Sequence, residues 1–72
     1  MKKYIILYES KEYKCMYHVR DHADTLEQIQ VLKDKYSDEN KKYHTGEYNR
    51  ELGLFYIGHG EKKQQVEHCN FL

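Results

Sequence analysis

Near the amino terminus, apolar and polar positions alternate with a period of two. Tyr4, Ile6 and Tyr8 fall on one parity and Ile5, Leu7 and Glu9 on the other, a β-strand rhythm carried by aromatic and β-branched residues. The alternation resumes after Ser10-Lys11, with Tyr13, Cys15, Tyr17 and Val19 on one parity and Lys14, Met16, His18 and Arg20 on the other. A two-residue turn at Ser10-Lys11 sets Tyr8 opposite Tyr13, Ile6 opposite Cys15 and Tyr4 opposite Tyr17, so that turn length and pattern agree. Neither Ser nor Lys favours the positive φ of such a turn, and a longer loop over Glu9 to Glu12 keeps the same parity. Either way, the stretch from Lys2 to Arg20 reads as a hairpin with four tyrosines on one face.

The period then changes. Asp24 with Glu27, or Thr25 with Gln28, has the spacing of a capping box. Behind it Leu26, Ile29, Leu32 or Lys33, and Tyr36 recur on one helical face, with Val31 at its margin. This predicts a helix from Thr25 to about Tyr36, with an extension to Lys42 left open by Tyr43 one heptad on. His44 to Glu51, HTGEYNRE, reads as a loop turning at Gly46. The most apolar run, Leu52 to Ile57, reads as an inner strand buried on both faces. Gly58-His59-Gly60 reads as a tight turn. Glu61 to Leu72 carries both helical and alternating signals, and the preceding turn favours a strand. The expected order is β-β-α-β-β: one α+β domain over residues 1–72, with a four-stranded, mainly antiparallel sheet and one helix on a face.

Composition sharpens this. A chain of 72 residues is near the lower limit for folding on its own core. Leu, Ile, Val and Phe are scarce, and eight tyrosines make up the shortfall with rings whose hydroxyls must stay wet or paired. A thin core with surplus rings suggests completion by self-association, most simply a homodimer. Formal charge is zero and no basic block or acidic tail is present, which argues against strong sequence-independent DNA binding. Tyr4 to Tyr8 is too short to be an export signal or to span a membrane, so a cytoplasmic chain with reduced Cys15 and Cys69 is expected. Ten lysines to two arginines, one alanine and no proline follow AT-rich codons, as in an AT-rich bacterium or its phages.

The candidate chemistry is sparse. Cys15-x-x-His18 and His68-Cys69 supply four zinc-type donors, yet on strands each pair points to opposite faces. A metal or other cofactor is therefore not expected, and Cys15 reads as a small core thiol. Five histidines have no nucleophile or paired carboxylate set beside them by any motif, so a small enzyme ranks third. Gly58-His59-Gly60 lacks the lysine and following helix of a phosphate loop. Lys41-Lys42 and Lys62-Lys63, near Tyr43 and Tyr56, read as solvated lysines before an anion site. The leading expectation is a non-enzymatic interaction protein, of the kind a phage uses to inhibit a host factor. It would bind another protein through the aromatic sheet face or an edge, with Tyr4, Tyr8, Tyr13, Tyr17, Lys14, His18 and Arg20 as the candidate contact residues. A module for nucleotides or single-stranded nucleic acid, with tyrosines stacking on bases and lysines holding phosphates, ranks second.

Overall fold

The computed structural model describes residues 1–71, with all their side chains except those of His68, Asn70 and Phe71. Six strands and one α-helix follow in the order β1 (Tyr4–Glu9), β2 (Met16–Ala23), α1 (Leu26–Lys35), β3 (His44–Asn49), β4 (Leu54–Ile57), β5 (Gln64–Val66) and β6 (His68–Phe71). A single 3-10 turn, Gly60–Lys62, separates β4 from β5. The α+β class with an antiparallel sheet and one helix holds. The strand count does not: β1 to β5 pair antiparallel, and β6 is added parallel to β2.

The strand order is β5-β4-β3-β1-β2-β6. The two outermost strands are consecutive in the chain, joined only by Glu67. One intervening residue spans at most about 7 Å, so the two rims of the sheet must meet. The sheet is therefore rolled into a small barrel whose closing strand is split, with one half on β4 and the other on β2. Closure of this kind leaves as edges only short strands, β5 and β6, each paired on one side.

Inside the barrel lie Ile5, Leu7, Val19 and Val66, flanked by Met1, Tyr17, Tyr48, Phe55, Ile57 and Cys69. Gly46 faces the same interior opposite Ile5, where a Cβ would stand 1.9 Å from the Tyr56 carbonyl oxygen. Only glycine lets β3 and β4 approach so closely where the sheet curls. Outside the barrel, α1 covers a second cluster of Ile6, Tyr8, Ala23, Ile29, Tyr36 and Tyr43. Ile5, Ile6 and Leu7 are all 0% exposed, because β1 is paired on both sides and packed on both faces. Each such side chain contributes roughly 1.5–3 kcal/mol by burial. The strand buried on both faces is thus β1. Leu54 to Ile57 is an inner strand, paired with β3 and β5, but stays half-buried.

The helix obeys its sequence signals. Thr25 accepts a hydrogen bond from the Gln28 amide, and the Gln28 side chain returns one from the Thr25 amide, the reciprocal capping box. It ends at Lys35 without the extension to Lys42. The Ser37 hydroxyl and amide both donate to the Asp34 carbonyl, turning the chain out of the helix.

Four expectations need correction. The hairpin has no two-residue turn. Glu9 pairs with Tyr17 and Tyr8 with His18, across a loop from Ser10 to Cys15 that the Ser10 amide closes onto the Met16 carbonyl. Ser10 Oγ accepts from the amides of Glu12 and Tyr13, and this local bonding competes with strand continuation. Next, HTGEYN is strand β3 rather than loop. Its polar residues alternate on the outside, and the glycine read as a turn is the point of close approach to β4. Third, the carboxy-terminal strand breaks at Glu67 to serve both rims; its final position, Leu72, lies outside the described residues. Last, the strands β4 and β5 are antiparallel as a turn there implies, but they are joined by a six-residue connection, 58–63, that includes the 3-10 turn rather than by a tight turn at Gly58-His59-Gly60.

Candidate functional site

The four tyrosines do not share a face. Tyr4 and Tyr8 lie on the helix side with Ile6, Tyr17 lines the barrel interior, and Tyr13 sits in the hairpin loop at 60% exposure. Two departures from simple alternation cause this. The six-residue loop moves the register, and a bulge in β2 between the partners of Ile6 and Leu7 adds a residue there. Arg20 is that extra residue, and the bulge sends both Arg20 and Asp21 to the helix side. Cys15 is likewise exposed in the loop, at φ +64°, and is no core thiol. Cys69 is the half-buried thiol, and burial pushes its pKa up to about 11.

On the helix side the hydroxyls and charges form a bonded network. The Arg20 guanidinium lies over the Tyr36 ring, 3.9 Å from its centroid. It donates to both Glu39 oxygens at 3.2 and 2.9 Å, the two-point geometry that suits arginine and carboxylate. The Tyr43 hydroxyl donates to the same carboxylate, and the Tyr36 hydroxyl donates to Asp21 at 2.5 Å. Arg20, and then Tyr43, hold the Glu39 carboxyl down at about 2. Burial opposes the Asp21 charge, but the hydrogen bonds from Tyr36 and the His22 amide outweigh it and leave its pKa low. Arg20 is therefore spent on tying the segment after α1 to β2.

A second cluster lies outside β3. Thr45 Oγ1 is 2.9 Å from His59 Nε2, and His59 Nδ1 is 3.7 Å from Glu47 Oε2. Hydroxyl, imidazole and carboxylate thus follow one another in the order of an activated nucleophile. The carboxylate is committed elsewhere, however, accepting from the Gly60 amide at 2.9 Å and pairing with Lys63 at 3.6 Å. The neighbouring hollow is lined by Lys3, Glu47, Tyr48, Asn49, Arg50, Glu51, Tyr56 and Lys63, and neither Thr45 nor His59 reaches it. The cluster pins the β4–β5 connection to β3. Spacing gave no sign of it, because Glu47 and His59 meet only through the β3–β4 pairing.

The remaining candidates converge at the loop end of the barrel. A groove of about 680 Å³ runs between the hairpin loop and the segment entering β3, with Lys11, Lys14, Lys41, Lys42, Tyr8, Tyr17 and His44 in its walls beside Glu9 and Glu12. A second hollow shares Tyr8, Ser10, Lys11, Glu12 and Lys41 with it and adds Tyr13, Met16 and His18. Of the residues singled out from sequence, Tyr8, Tyr13, Tyr17, Lys14 and His18 meet here; Tyr4 and Arg20 do not. The Lys41 ammonium stands 4.2 Å from the Tyr8 ring centroid, a cation–π contact. Burial lowers the His44 pKa, and the charges of Lys42 and Lys33 lower it further, consistent with a positive local potential. The groove brings four lysines together with tyrosine and histidine rings, groups suited to holding an anion. Among the described residues no group of three or more His, Cys, Asp or Glu is placed to hold a metal, and no helix is long and apolar enough to cross a membrane.

No protein-family model matches the chain, and no curated protein or solved structure does so at a significant level.

Proposed function

We propose that the protein is a non-enzymatic binding module that engages an anionic partner through the loop end of its barrel. The observation that carries this reading is the groove of four lysines and two tyrosines between the hairpin loop and the entry to β3, on a chain whose overall charge is zero. A local excess of ammonium groups over carboxylates focuses potential where a uniformly mixed surface does not. The helix covers the sheet face that carries Tyr4 and Tyr8, so the loop end is the surface we favour.

A protein partner is the second reading. It is favoured by Val31 on α1, 68% exposed, in a hollow that it lines with His22, Ala23, Gln28 and Leu32.

Retention on immobilised heparin tests the first. At pH 7 and low salt the protein should bind despite its zero formal charge, and replacing Lys11, Lys14, Lys41 and Lys42 with glutamine should abolish retention while the circular dichroism stays unchanged. Flow-through of the unaltered protein sinks the proposal. Capture of a host protein that Val31→Asp releases would then move the contact to α1.

A further inference from the structure

At the loop end, cations alternate with rings in an arrangement that an acidic partner alone does not require. Lys11 and Lys14 stand on the hairpin loop, and Lys41 and Lys42 stand opposite on the strand-entry segment. Between them lie Tyr17 and His44, whose ring centroids are 6.5 Å apart. The Tyr13 ring projects from the loop beside the adjoining hollow, more open to solvent than any other described tyrosine. The two hollows share Tyr8, Lys11 and Lys41 in their walls, so a chain lying along the groove passes the loop that carries Tyr13. Lysine ammoniums on opposite walls match a backbone with a negative charge at every unit, and an open phenol offers a stacking platform to any base. Glu9 and Glu12 interrupt the lysines. The cations are thus interrupted by carboxylates, unlike the continuous basic face that suits a duplex backbone.

Resting on the anionic-partner reading above, we infer that this groove takes a short stretch of single-stranded nucleic acid, with phosphates against Lys11, Lys14, Lys41 and Lys42 and a base on Tyr13.

Fluorescence anisotropy with labelled twelve-nucleotide oligo-dT and oligo-U, against a duplex of equal length, provides the test. Each lysine–phosphate contact on a single strand adds about −0.7 to the slope of log affinity against log salt, so four contacts give roughly a 50-fold loss between 50 and 200 mM. Tyr13→Ala should weaken binding about tenfold or more, the scale of one lost base stack, while Tyr13→Phe stays near the parent. Tyr13 is an exposed loop residue, so the alanine variant keeps its fold and its retention on heparin. Equal affinity for duplex and single strand, or indifference to Tyr13→Ala with heparin retention intact, overturns the nucleic-acid inference and leaves the anionic-partner reading standing. Loss of both binding modes in the unaltered protein overturns the two together.

Discussion

The two faces of β1 are built from opposite materials. Toward the barrel interior, Ile5 and Leu7 meet Val19 and Val66 in an aliphatic cluster. Toward α1, Ile6 and Tyr8 meet Tyr36 and Tyr43, whose hydroxyls are tied to Asp21 and Glu39. The barrel centre is filled by aliphatic side chains, with Tyr17 and Tyr48 only partly buried at its margin. A helix lying on the outside leaves a rim where a phenol can bury its ring and keep its oxygen bonded. A small chain short of aliphatic residues thus assembles two cores, one mainly aliphatic and one of tyrosine rings with bonded hydroxyls.

The sharpest way to break this arrangement is Gly46→Ala. The new methyl group would collide with the Tyr56 carbonyl, and β3 cannot yield without giving up its pairing with β4. We expect a loss above about 4 kcal/mol, more than ordinary single substitutions cause, seen as unfolding at far lower urea. Next, truncating the two faces in turn measures their difference. Leu7→Ala should cost about 2–5 kcal/mol, since the barrel wall cannot collapse into the space. Tyr36→Phe, which leaves the ring and removes only its bond to Asp21, should cost about 1 kcal/mol. Equal urea midpoints for the two variants would erase the distinction between dry interior and bonded rim.

The smallest effect is the acid limb. The Glu39 carboxyl is held at about 2 against an ordinary 4.5. Its contribution is therefore complete above about pH 4.5 and is lost as pH falls toward 2. Glu39→Gln should flatten that part of the stability profile, and because Glu39 is more than a third exposed the difference should shrink in high salt. An unchanged acid limb in the variant would mean that the Arg20–Glu39 pair contributes nothing in solution.

How much was legible follows from range. Local signals were readable: the capping box at Thr25 and Gln28, the stripe of Ile29, Leu32 and Tyr36, and the strand character of β1. What depended on distant pairing was not. Arg20 looks like one more alternating residue until the bulge turns it to the helix side. Gly46 looks like a turn because its close approach to the Tyr56 carbonyl involves a strand ten residues away. Of the seven candidate contact residues, Tyr8, Lys14 and Tyr17 line the groove and Tyr13 and His18 the hollow beside it, by a route other than a shared strand face: the loop carries Tyr13 and Lys14, and the register brings His18 beside Tyr8.

Glu67 also governs how the molecule must come together. Since a lone residue carries the chain from one rim to the other, the ring shuts only when partners such as Val19 and Phe71, about fifty positions apart, find each other. Encounters over such separations are slow, and until they occur the flanks of β2 and β4 expose amides and carbonyls with no mates. Two half-shut copies could satisfy those groups by trading their closing segments. Crowding during refolding should therefore yield interlocked pairs, which dilution would prevent.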